Sequence, residues 1–101
     1  MEYLMTGDMI NAADAYRMGL ANHVVPHGES VKKAKEIITK IATKAPLAVA
    51  GIVECVDAAY DGVMDGFAFE ARKFGAVSLT EDFKEGAGAF VERRKAEFKG
   101  R

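Results

Sequence analysis

The chain has 101 residues, half of them hydrophobic, and carries a formal charge of −1 at neutral pH. Such a balance lacks the long-range attraction on which nonspecific nucleic-acid binding depends, and the lone Cys55 excludes an intrachain disulfide framework. A polypeptide this short forms one domain or part of one, and so apolar a composition is hard to hide in a small bundle, which predicts that some faces meet another protein surface.

Met1 to Met5 is apolar, has no N-cap residue and runs into the turn Thr6-Gly7-Asp8, so it reads as the tail of a helix or strand with structure expected before it. Asn11 and Asp14 form a capping pair ahead of a short helix through Ala15 and Met18, which Gly19 ends in a left-handed position. Leu20, Val24 and Val25 make a brief extended stub, near residues 20–25, that Pro26 stops; it is too short to build a sheet without a strand from elsewhere. From Ser30 to Lys44, Val31, Ala34, Ile37, Ile38, Ile41 and Ala42 recur at helical spacing, opposite Lys32, Lys33, Glu36 and Lys40. Ala45-Pro46 breaks that helix, and Pro46 suits the first position of the next, through Val49, Val53, Val56 and Tyr60. This helix is apolar on several faces and is expected at the centre. After the turn at Asp61-Gly62, Phe67, Glu70, Phe74 and Val77 predict a third long helix. Thr80 caps a fourth, reaching Lys95 or beyond, with Glu81 and Asp82 in its first turn and Arg93, Arg94 and Lys95 in its last, the signs that the helix dipole favours. No stretch approaches the roughly 20 apolar residues that span a bilayer, and no basic segment leads into a continuous apolar run as in a secretory signal. A cytoplasmic chain without membrane partners is the expectation.

Most candidate chemistry has a plainer reading. His23 and His27 lie on an extended segment where a spacing of four does not bring two rings to one face, and further metal ligands are lacking nearby. Cys55 sits among apolar residues as a small hydrophobe. Asp57, Asp61 and Asp65 lack the alternating ligands of a calcium loop and read as caps and turn residues; Glu81, Asp82 and Glu85 read as capping residues at a helix start. Gly86 and Gly88 inside a helix each cost roughly 1 kcal/mol relative to alanine, which suggests close approach to a neighbour. The remaining cluster is Phe90 with Arg93 and Arg94, an aromatic surface beside guanidinium donors on a shared helix face, which suits an adenine ring and a phosphate. By spacing alone the same helix also offers an apolar stripe, Phe83, Ala87, Phe90, Val91 and Phe98, that favours core packing, and Arg93, Arg94, Lys95, Lys99 and Arg101 also read as a soluble basic tail.

Two runs carry a resemblance. Leu4-Met5-Thr6-Gly7-Asp8, Ile10-Asn11-Ala12 with Ala15, and Gly19-Leu20-Ala21-Asn22-His23-Val24-Val25-Pro26 follow one another as do "LTGD", "ISA..A" and "GLV..VVP" in the enoyl-CoA hydratase/isomerase (crotonase) family. Thr80-Glu81-Asp82-Phe83-Lys84-Glu85-Gly86, Ala89-Phe90-Val91-Glu92-Arg93-Arg94-Lys95 and Phe98-Lys99-Gly100 resemble that family's closing "T.D..EG..AF.EKRK..FKG". Gly66 and Glu70 fit the helix between, and the resemblance covers the whole chain. It implies a mainly α fold, the C-terminal helical segment of the crotonase fold, with residues 1–28 a remnant of the core domain and 29–101 a helical bundle. It further implies a parent that hydrates or isomerises a 2-enoyl-CoA thioester, with no cofactor beyond that substrate's coenzyme A. The family's oxyanion hole and catalytic glutamates match nothing here, so no catalytic residue is implied, and the chain alone is expected to be inactive. Lid formation, homo-oligomeric assembly into trimers often paired as hexamers, and a CoA-binding contact through Phe90 and Arg93 are the implied roles. The usual residue at the second position is lysine, so Arg93 departs from the pattern. A helical homo-oligomerisation module without catalysis is the alternative.

Overall fold

The computed structural model describes residues 1–62 and 65–101, which form six α-helices and, among these residues, no strand. They are α1 (Glu2–Thr6), α2 (Ala12–Arg17), α3 (Ser30–Ile41), α4 (Pro46–Tyr60), α5 (Gly66–Ser78) and α6 (Glu81–Glu92). Two compact units divide the chain, Met1–Ile37 and Ile38–Arg101.

In the first unit α1 ends where Gly7 turns left-handed at φ 73° and donates to the Tyr3 carbonyl. Asn11 opens α2 as its sequence spacing predicts: its side-chain oxygen accepts the Asp14 N–H at 2.8 Å and its amide donates to the Asp14 carboxylate at 2.8 Å. Arg17 and then Asn11, both donating to that carboxylate, hold Asp14 below the usual carboxylate range. Gly19 follows at φ 75°, and the amides of Leu20 and Ala21 both reach back to the Ala15 carbonyl over the buried Ala15 methyl. The extended stub at 20–25 has no strand partner among the described residues, in keeping with its brevity.

α3 stops at Ile41, three residues before Lys44, where the periodicity places its end. The cause is local. Its last turn tightens, with the Thr43 and Lys44 amides bonding the Lys40 and Ile41 carbonyls, and the Thr43 hydroxyl also takes the Lys40 carbonyl at 2.8 Å. Ala45 is then held outside helical space at ψ 117°, the restriction a following proline imposes.

In the second unit α4 and α5 form the main packed pair. Asp65 caps α5, its carboxylate accepting the amides of Phe67 and Ala68, both at 3.1 Å. The two helices approach closely at Gly66, where an added Cβ would lie 3.3 Å from the Ala59 Cα, and Glu54 and Lys73 pair across them. The α5 to α6 contact is an edge-on pair of rings, Phe74 and Phe83, 6.4 Å apart at 89°. Thr80 joins them: its hydroxyl donates to the Val77 carbonyl at 2.7 Å and accepts the Phe83 amide at 3.1 Å, so one side chain closes α5 and caps α6.

Among the described residues the buried apolar side chains are Ala15, Ala58 and Ala89, and no large side chain is fully buried. α4, expected at the centre, packs on α5 and leaves Ile52, Val53 and Val56 more than half exposed. No described helix is long and apolar enough to cross a membrane.

Candidate functional site

The Phe90 cluster lies where α6 gives way to the C-terminal tail. α6 ends at Glu92 and not at Lys95, because Arg93 turns left-handed (φ 55°, ψ 35°). The Arg93 amide then bonds the Phe90 carbonyl at 3.3 Å and the Arg94 amide the Ala89 carbonyl at 3.0 Å, satisfying the carbonyls that a helix end leaves open. Two expectations are corrected by this turn. Arg93, Arg94 and Lys95 are not the last turn of a helix and do not complement its dipole there, and Phe90 and Arg93 do not share a helix face.

Both side chains nonetheless stand at the same helix end, and both are exposed. Phe90 is 85% exposed and Val91 80%, so the apolar stripe does not form a core within this chain. Arg17, Arg94 and Arg101 each pair with a carboxylate and Arg72 lies over the Phe69 ring, whereas Arg93 has no such partner among the described residues. Arg93 is also the one non-glycine residue at positive φ among those residues. The left-handed region costs an L-residue about 1–2 kcal/mol, so this arginine sits where glycine is the ordinary choice.

After Arg93 the tail folds back along α6, held by the acidic residues of that helix's first turns. Lys99 and Gly100 donate their amides to the two Asp82 oxygens at 2.7 and 2.8 Å, and the Asp82 amide returns a bond to the Arg101 carbonyl at 3.1 Å. Glu85 accepts the Glu97 amide at 2.9 Å and both Arg94 terminal nitrogens at 2.6 and 2.9 Å, while Arg101 reaches Glu81 at 2.9 Å. Phe98 lies against Gly86, where a Cβ would stand 3.3 Å from its ring, so the close approach expected at that glycine is real; at Gly88 the nearest atom, Arg94 Nη2, is 4.0 Å away. Glu81, Asp82 and Glu85 are therefore anchors for the tail, and Thr80 does the capping. The readable sign was the pairing of these acids with a basic, glycine-containing terminus.

Arg94, and then the Glu97 amide, lower the Glu85 carboxyl to about 2. Because the folded value lies below that of the unfolded chain, the stabilising contribution is fully present above about pH 4.5 and is lost as the pH falls through about 2. Acid titration followed by the Glu97 amide signal should show the tail loosening across that window, and Glu85→Gln should remove most of this pH dependence.

Elsewhere, Asp65 is a cap, Asp61 follows the last residue of α4, and Asp57 is exposed on it. Cys55, half-buried, lines an apolar groove between α4 and α5 with Gly51, Ile52, Val56, Phe74 and Val77. Among the described residues no group of three or more His, Cys, Asp or Glu side chains is placed to hold a metal.

Comparison with known proteins places this architecture. The enoyl-CoA hydratase/isomerase family profile matches residues 1–101. The mitochondrial enoyl-CoA hydratase of Pongo abelii is 39% identical over 100 residues, covering 98% of this chain and 34% of that protein. The carnitinyl-CoA dehydratase of Proteus mirabilis strain HI4320 is 39% identical over 105 residues, covering 99% of this chain and 40% of that protein. The crystal structure of enoyl-CoA hydratase from Mycobacterium tuberculosis H37Rv superposes with a TM-score of 0.91 at 32% identity, covering 100% of this chain and 40% of its own. The chain belongs to the enoyl-CoA hydratase/isomerase family, and its helices are part of the crotonase fold. It spans about a third to two fifths of the length of these relatives.

Proposed function

We propose that this chain is the C-terminal lid, assembly and CoA-contact segment of an enoyl-CoA hydratase/isomerase whose whole protein hydrates or isomerises a 2-enoyl-CoA thioester. In this reading residues 1–28 belong to the core domain and 29–101 to the helical part. The carrying observation is the end of α6, where an exposed aromatic ring lies three residues before an arginine that holds a left-handed turn and has no carboxylate partner among the described residues. An adenine ring suits the first and a phosphate the second. The names of the relatives, a hydratase and a dehydratase acting on CoA thioesters, support the substrate class. No cofactor enters beyond the coenzyme A of the substrate, and the groups that would polarise its thioester are assigned to the rest of the protein. The cytoplasm is the proposed compartment, on the single free thiol; the Pongo abelii relative is mitochondrial. Titrating the 101-residue chain with CoA, followed by amide signals, tests the contact: shifts should centre on Phe90 to Arg94, and Arg93→Ala should weaken binding about tenfold, the worth of one charge-assisted phosphate contact. Equal binding by the variant sinks the assignment.

The uncovered apolar side chains favour the assembly role, which in the isolated chain takes the form of a helical homo-oligomerisation module. Val31, Ile38, Ile52 and Val53 are each more than half exposed. Light scattering over a range of concentrations should give a dimer or larger species, whereas a folded monomer at every concentration removes this role from the segment.

A further inference from the structure

We infer that Arg94 is a positioning residue for Arg93: by occupying the carboxylates of Glu85 and Glu92 it leaves the Arg93 guanidinium available to a phosphate group on a nucleotide ligand. This rests on the CoA reading above. The two adjacent arginines have opposite surroundings. Arg94 spends most of its donors within the chain, with Nη1 on Glu85 at 2.6 Å and the Lys95 carbonyl at 3.3 Å, Nη2 on Glu85 at 2.9 Å and Nε on Glu92 at 2.6 Å. Four of its five N–H donors are engaged in this way. Arg93 has no carboxylate partner among the described residues although Glu92 precedes it directly. A guanidinium beside two unpaired carboxylates would be drawn to them, and those carboxylates would repel a phosphate arriving at the same place. Engaged by Arg94, they do neither. The same pair fastens the left-handed turn from outside, since Arg94 ties the residue after the turn to Glu85, two helical turns back on α6. Strain of this kind persists only where the surroundings hold it, and it points to a use for the residue that bears it. Arg94 thus acts through Arg93 and does not itself touch ligand.

The experiment compares CoA with dephospho-CoA, which lacks the ribose 3′-phosphate, as ligands of the 101-residue chain, with binding read from amide shifts. The unmodified chain should prefer CoA, and Arg93→Ala should abolish that preference. Arg94→Gln, with Arg93 intact, should reduce it about tenfold while leaving dephospho-CoA binding unchanged. Removing the freed acids as well, in Arg94→Gln/Glu85→Gln/Glu92→Gln, should restore part of it. Arg94→Lys keeps a cation beside Glu85 and should retain most of it. A preference unchanged in Arg94→Gln, an equal weakening of both ligands, or no recovery in the triple variant overturns the inference. Absence of CoA binding by the unmodified chain, or indifference to Arg93→Ala, overturns instead the CoA reading on which it depends.

Discussion

Asp82→Ala should free the C-terminal tail at a cost of about 3 kcal/mol, since one carboxylate, 3% exposed, accepts two backbone amides that have no other partner in the fold. Hydrogen bonds to a charged group contribute about 1.5–3 kcal/mol each, and the deletion also leaves the amides of Lys99 and Gly100 under-satisfied beside α6. Amide exchange is the direct measurement: at Lys99 and Gly100 it should quicken on the order of 100-fold, which is what ~3 kcal/mol of lost protection means. Asparagine does not rescue the site. It offers one acceptor oxygen where two amides converge, and its NH2 group would face a backbone N–H. Unchanged exchange in Asp82→Ala would show that packing of Phe98 on Gly86, and not the carboxylate, holds the tail.

The second large effect lies at the α4–α5 contact. Gly66→Val should destabilise the second unit by about 2 kcal/mol, because its Cβ would already stand 3.3 Å from the Ala59 Cα and the branched methyls would drive further into that backbone. Backbone cannot rotate aside as a side chain does, so the helices must separate and the Glu54–Lys73 pair across them must stretch. Gly66→Ala is the milder probe of the same contact, since alanine's gain in helix propensity, up to about 1 kcal/mol, works against the crowding. Urea titration followed by helical signal checks both; a valine variant as stable as the original would mean that the two helices slide freely at this point.

Local rules written in neighbouring residues were legible in the sequence. The Asn11 and Thr80 caps, Pro46 at the start of α4 and Gly19 beyond α2 all act within a few positions of themselves, and each stands where its side-chain chemistry places it. Helix starts were accordingly better read than helix ends. α3 and α6 both stop three residues early, the first because Thr43 competes for a carbonyl ahead of Pro46, the second because the tail pulls Arg94 onto Glu85. The latter is a contact between residues nine apart in the chain, to which helical periodicity is blind. For the same reason Glu81, Asp82 and Glu85 looked like caps: their sign suits a helix start, and nothing local reveals that a terminus returns to them. Gly66, read only as part of a family pattern, is a close approach of two helices, while at Gly88 a Cβ would meet nothing nearer than Arg94 Nη2 at 4.0 Å. At the candidate site, spacing alone left Phe90 and Arg93 between core and ligand surface; exposure and the left-handed turn are properties of the folded chain.

That the buried apolar side chains among the described residues are alanines sets the calorimetry of this chain. Unfolding heat capacity scales with the apolar area newly exposed to water, and here most large apolar side chains already meet it. Melting should therefore absorb little excess heat capacity, show a weak response to urea for a chain of this length, and trace a shallow stability curve with temperature. Whatever surface covers Ile52, Val53, Phe67 and Phe90 will contribute most of the heat-capacity change that a protein of this size ordinarily carries within itself, so the thermal signature of association should exceed that of folding.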